Sequence, residues 1–278
     1  MKLRDKFWQW GHPEGCYNNG QDGYGHMAES RMTPMEGCLF LGISKTFMVP
    51  VGRKINRRQY NKSFKTLSAV GWECFGVDKY PEKVEQIIEE SKEFPNITAA
   101  VLDDFVGKSK KRREEGDEVS ADVLVKVRER FNNNEVRPID LWMVLYTREF
   151  ALDGVDDAPL CPFLDSVNGI ILWTWEEKDI HLVPEKFEAL KKLSPNTRKM
   201  FGCYLYNFGE RKLATAKAVR WQLDFYREKI LAGEAEGVVF HTNTMADLDY
   251  ESYDAALEWM AIHGDEEVGE PIPTFVNH

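Results

Sequence analysis

The feature that most constrains the fold is a rhythm. Short apolar runs alternate with helical segments along the whole chain. The apolar runs fall at residues 6–12, 45–51, 70–78, 96–105, 138–149, 167–176, 199–209 and 237–244. Helical segments fall at 34–42, 56–69, 81–94, 119–131, 184–193, 215–234 and 250–264, and a short helical or irregular segment follows the fifth run. Thr33-Pro34-Met35-Glu36 supplies a capping box with proline at the first helical position. Val84, Ile87 and Ile88 share one helical face. Strands separated by helices pair in parallel, because a parallel neighbour needs a crossover connection. Continuous apolar runs, rather than alternating ones, are expected of strands buried on both faces. Eight such units in 278 residues predict a single-domain (β/α)8 TIM barrel over residues 1–278, with a long first βα loop at about 13–33. An open doubly wound sheet is the competing layout. It lacks a G-x-G-x-x-G after the first strand and a P-loop.

Charge and thiols narrow the function. The formal net charge of −10 argues against nucleic acid as a partner, since a phosphate backbone calls for a basic face. The densest basic stretch, Lys108 to Arg113, runs straight into Glu114 and Glu115 and reads as a solvated loop or helix start. The five cysteines are scattered, with no C-x-x-C pair, which disfavours a disulfide framework and a cysteine zinc site. No stretch has the length of a membrane span and no apolar signal segment opens the chain, so a cytoplasmic location is expected. No cofactor is expected, and oligomeric state is not legible.

In a TIM barrel the active site lies at the carboxyl ends of the strands. Those ends carry an aromatic and polar mixture that the amino ends lack. Trp10 and His12 close the first run, and Arg53 follows the second. Cys74 and Asp78 end the third, and Asp103 and Asp104 the fourth. Tyr146, Arg148 and Glu149 end the fifth; Trp173, Trp175 and Glu176 the sixth. Tyr204, Tyr206 and Asn207 end the seventh, and His241 and Asn243 the eighth, with Asp247 and Asp249 beyond. Aromatic faces stack on sugar rings, while carboxylates, Asn, Arg and His bond hydroxyls; a carbohydrate is the expected substrate. Trp8 and Trp142 read as barrel filling, and Glu36 as a cap.

Asp103 and Asp104 raise a geometric problem. Successive strand residues face opposite ways, so a regular strand turns only one of them to the axis. Asp104 is the more accessible of the two by this reading. A glycosidase usually needs two carboxyl groups, about 5 Å apart for a nucleophile and about 6.5–9.5 Å apart for inversion. Glu176, flanked by Trp173 and Trp175, is the expected partner, because those rings exclude water as a general acid requires. By the same period Tyr204 and Tyr206 share one face and one role. His12, Arg53, Tyr146, Trp173, Trp175, Tyr204, Tyr206, Asn207, His241 and Asn243 are the expected substrate-binding set, with Asp104, Glu176 and Asp103 catalytic.

An acid on strand four with another on strand six also resembles the α-galactosidase-like barrel glycosidases. The segment AAVLDDF resembles the strand-four DD segment of substrate-assisted N-acetylglucosaminidases of the O-GlcNAc hydrolase type. That resemblance casts Asp103 as the group that orients the substrate acetamido and Asp104 as the general acid, with Asn207 and Tyr146 holding the substrate. The landmarks SRMTPMEG, LDDF, LWTWE and GCYLYNFG resemble those of a group of uncharacterised bacterial glycoside-hydrolase-like barrels, which implies carbohydrate metabolism. If Glu176 points away while the aspartates face the cleft, the substrate-assisted variant gains. Two other functions remain open. One is a metal-dependent sugar isomerase, epimerase or lyase with His12, Asp104, Glu176 and His241 as ligands. The other is a carbohydrate-binding barrel without catalysis.

Overall fold

The computed structural model describes residues 1–20, 23–74, 82–106 and 120–269. Asp78 and the basic run at 108–113 lie outside the described residues. Eight strands close a barrel: β1 (Phe7–Gly11), β2 (Lys45–Met48), β3 (Ala69–Glu73), β4 (Ile97–Leu102), β5 (Asp140–Tyr146), β6 (Gly169–Trp173), β7 (Arg198–Tyr204) and β8 (Gly237–His241). Each is parallel to its neighbours, and β8 closes on β1. The helices among the described residues are α1 (Pro34–Leu41), α2 (Arg57–Ser63), α3 (Glu82–Glu93), α4 (Ala121–Asn132), α5 (Cys161–Leu164), α6 (Val183–Leu193), α7 (Ala216–Leu231) and α8 (Glu251–His263). None is long and apolar enough to cross a membrane. The predicted TIM barrel is the observed fold.

Local chemistry sets the element ends. Thr33 caps α1 through the Glu36 amide, and Glu36 returns a bond to the Thr33 amide, as the capping box predicts. Gly42 ends α1 in the left-handed region at φ 65°, which costs glycine nothing. Strand alternation then sorts the core into two shells. Trp8, Phe47, Val101, Trp142, Val144, Ile171 and Val239 fill the barrel interior, while Phe7, Leu102, Leu141, Met143 and Phe201 pack outward under the helices. Trp8 and Trp142 are therefore core residues, as expected.

Room for large rings inside the barrel comes from cross-strand glycines. Phe47 lies opposite Gly71, and Trp142 opposite Gly169. Trp173 lies over Gly202 on the next strand in the same way, so that a Cβ on Gly202 would overlap the indole. Each ring occupies the space a neighbouring side chain would need, which keeps the interior densely filled.

The strands stop earlier at their carboxyl ends than the apolar runs suggest. β4 ends at Leu102 rather than 105, β6 at Trp173 rather than 176, and β8 at His241 rather than 244. β7 ends at Tyr204, and a separate two-residue ladder then pairs Tyr206–Asn207 with Lys212–Leu213. The candidate residues thus stand where the chain has left the barrel ladder. There the two-residue period no longer governs which way a side chain points.

Candidate active site

Asp103 and Asp104 form a turn immediately after β4. Asp104 takes φ 51°, in the left-handed region that aspartate tolerates better than most residues. That twist breaks the alternation, and both aspartates line one cleft of about 750 Å³ at the carboxyl face of the barrel. From the end of β5, the Tyr146 hydroxyl donates to Asp104 Oδ1 at 3.0 Å and fixes the carboxylate. The Tyr204 hydroxyl lies 3.4 Å from that of Tyr146. Burial pushes both phenols well above their ordinary range, and the neighbouring aspartate charges push the same way. Both therefore remain protonated.

The walls are aromatic. Trp10, Trp173, Trp175 and Tyr204 line the cleft together with Tyr17, Tyr24 and Phe208. Trp10 and Trp173 meet edge to face at 5.6 Å, and Trp173 and Tyr204 pack at 4.6 Å. The Trp173 indole nitrogen is buried without a hydrogen-bond partner.

On the cleft floor His12 and His241 form a pair. His12 Nδ1 donates to the Val49 carbonyl at 2.8 Å. His12 Nε2 faces the Tyr17 hydroxyl and His241 Nε2, each at 3.2 Å. Burial lowers the His12 pKa to about 4, against the partial support of the Val49 carbonyl; the Arg53 charge adds a smaller push downward. Burial, then His12, lowers His241 well below its usual value. Both rings are neutral near pH 7.

Nine of the thirteen sequence candidates line the cleft: His12, Arg53, Asp103, Asp104, Tyr146, Trp173, Trp175, Tyr204 and His241. Arg53 also ties the loop after β2 to the first loop through the carbonyls of Glu14 and Gly15, at 3.4 and 3.3 Å. The other four are placed elsewhere. Glu176 does not line the cleft; its carboxylate pairs with Lys178. Trp175 faces the cleft, and Glu176, one residue on, faces away. Tyr206 does not share the face of Tyr204, because Leu205 breaks the strand between them; its hydroxyl donates to the Tyr24 carbonyl at 3.0 Å and braces the first loop. Asn207 closes the turn after β7, donating to Glu210 at 2.6 Å and accepting from the Glu210 amide at 3.2 Å. Asn243 is fully buried and clamps the chain at His12. It accepts from the His12 amide at 2.8 Å and donates to the carbonyls of His12 at 3.0 Å and Met32 at 2.8 Å.

The four ligands of the metal-dependent reading are not brought together. Glu176 is outside, and His12 Nδ1 is committed to Val49. Among the described residues no group of three His, Cys, Asp or Glu side chains has a metal-binding arrangement. Sequence reasoning missed Tyr17, Tyr24, Phe208, Glu73, Arg57 and Lys83, all on the cleft. The Tyr-rich composition of the first loop was the available signal for the two tyrosines. Nothing local marked the others.

No family model matches the chain, and no curated protein matches it. Solved barrels do. The catalytic domain of a hyperthermophilic chitinase from Pyrococcus furiosus superposes with a TM-score of 0.60 at 11% identity, over 94% of this chain and 97% of that one. A catalytic-site mutant of active domain 2 of the thermostable chitinase from Pyrococcus furiosus, complexed with chito-oligosaccharides, gives 0.59 at 11% identity over 94% and 96%. At such identity the likeness shows the shared barrel fold.

Proposed function

We propose that this protein is a glycoside hydrolase that cleaves the glycosidic bond of an N-acetylhexosamine with help from the substrate's own acetamido group. The observation that carries this reading is the pair of adjacent carboxylates turned into one aromatic-walled cleft while Glu176 stays outside it. Asp104 gives a proton to the leaving glycosidic oxygen as the C–O bond breaks. The acetamido carbonyl oxygen forms the new bond to the anomeric carbon, and Asp103 accepts a hydrogen bond from the acetamido N–H. Water then attacks the same carbon, Asp104 takes its proton, and the acetamido is restored. Tyr146 orients the Asp104 carboxylate, and Trp173, Trp175 and Tyr204 offer faces to the sugar. The fold shared with a chitinase domain that was solved with chito-oligosaccharides supports this substrate class.

The test is a panel of aryl glycosides with and without a 2-acetamido group, in two leaving-group series. Turnover is expected only for the acetamido sugars. Asp104→Asn should cost about 10²–10⁴-fold with a poor leaving group and far less with dinitrophenolate, the range general-acid catalysis spans. Asp103→Asn should cost similarly with both. Turnover of sugars lacking the acetamido, abolished by Glu73→Gln, would instead make Glu73 the second carboxylate and refute the assignment. No turnover of any glycoside would refute the class.

A further inference from the structure

Among the described residues, the cleft lining is more basic than the chain as a whole. The whole sequence carries 46 acidic and 36 basic residues. Around the cleft, among the described residues, five basic side chains (Arg53, Lys54, Arg57, Lys83 and Arg148) face three carboxylates. Arg57 is neutralised by a two-pronged pair with Glu90. Among the described residues nothing neutralises Arg148. Its guanidinium lies over the rings of Tyr146 at 5.0 Å and Trp175 at 4.8 Å, and it makes no ion pair or hydrogen bond among the described residues.

The two rings hold the guanidinium by cation–π attraction. Because they stand at 89° to one another, no more than one of them can meet its face, and among the described residues no acceptor takes its N–H groups. Those N–H groups form a planar fork suited to two parallel oxygens. The two rings that carry it are cleft walls, and Tyr146 is the residue that holds Asp104. A neutral glycan offers such a fork only hydroxyls. A carboxylate or a sulfate ester offers oxygens of the matching charge and spacing.

We infer that the substrate is an anionic glycan, and that Arg148 is the specificity-determining residue that recognises its carboxylate or sulfate beside the scissile unit. This rests on the glycosidase reading and narrows its substrate. Lys54 adds positive charge on the same cleft that attracts such a ligand, and this attraction weakens with salt.

The experiment measures binding by calorimetry on the full chain carrying Asp104→Asn, so that ligands persist. The ligands are a neutral chitotetraose, a tetrasaccharide alternating glucuronic acid with N-acetylglucosamine, and a 6-sulfated N-acetylglucosamine oligomer. At least one anionic ligand should bind about 10- to 100-fold more tightly than the neutral one, the scale of hydrogen bonds to charged groups. Which anion gains identifies the group recognised. Arg148→Ala should bring the anionic-to-neutral ratio to about 1, and Arg148→Lys should restore part of it, since it keeps the charge and loses the fork. A ratio near 1 before mutation, or one that Arg148→Ala leaves intact, would overturn the inference, and turnover of neutral acetamido glycosides in the same laboratory would leave the glycosidase reading standing. If none of the three binds and the unmutated chain turns over no glycoside, the glycosidase reading fails and the inference falls with it.

Discussion

Replacing Asn243 tests whether its place in the structure is structural rather than ligand-binding. The side chain is fully buried and, from two residues past β8, joins the chain just after β1 to the end of the first loop at Met32. Asn243→Ala removes its bonds to the His12 amide, the His12 carbonyl and the Met32 carbonyl. The two His12 groups would then be left buried and unpaired, and the Met32 carbonyl part-buried and unpaired, at about 1–3 kcal/mol apiece. Allowing for partial relaxation and some entry of water, the sum is about 3–5 kcal/mol. For a chain of this size, that corresponds to a melting temperature lower by about 5–9 °C. Asn243→Asp should not rescue it, because it keeps the acceptor but sets a carboxylate against two carbonyl oxygens. Urea unfolding followed by far-UV circular dichroism gives the stability directly, with the slope checked for two-state behaviour. A loss below about 1 kcal/mol combined with weaker glycan binding would refute the clamp and return Asn243 to the substrate-binding role its position in the sequence suggests.

Two further outcomes follow from the interior and the floor. Gly202→Ala forces Trp173 off the neighbouring strand, so it should destabilise by about 3 kcal/mol or more and weaken ligand binding at that wall; unfolding curves within 1 kcal/mol of the parent would contradict the close packing. The lowered pKa of His12, about 4 against 6.5 unfolded, means that the unfolded chain binds a proton across that window which the folded chain refuses. Stability is therefore fully present above pH 6.5 and falls as pH drops toward 4, by about 3 kcal/mol from this ring alone. His12→Gln should flatten that part of the stability–pH profile, and an unchanged slope would contradict the assignment.

The barrel was legible because it is a global property. Eight repeats of one pattern leave few ways to bury so many two-sided strands. The site was legible only in outline, because it lies where the pattern ends. Trp173 and Trp175 kept the alternation long enough to face the cleft together, but the same count gave Glu176 no special place, and it faces away. Asp103 and Asp104 did the reverse: alternation forbids a shared face, and the left-handed turn at Asp104 provides one. Tyr204 and Tyr206 were separated by a strand break that no residue between them announces. Such turns depend on which neighbouring loops pack against them, and those loops come from distant parts of the chain. Arg148 shows the same limit. Its place over Tyr146 and Trp175 depends on β5 and β6 lying side by side.

The floor of the cleft has a built-in direction. The Val49 carbonyl can only accept, so the hydrogen of His12 must sit on Nδ1, and Nε2 is left with a lone pair. That lone pair obliges Tyr17 and His241 both to point their hydrogens toward it. His241 then ends the sequence with a bare Nδ1, buried and without a partner. One main-chain oxygen at the end of β2 thus orders three side chains drawn from β1, the first loop and β8. A proton added at His12 would meet two hydrogens already aimed at the same spot, and the His241 ring would have to exchange its tautomer to receive it. Acid that protonates His12 near pH 4 therefore turns its Nε2 from acceptor to donor and reverses the order of hydrogens across the floor.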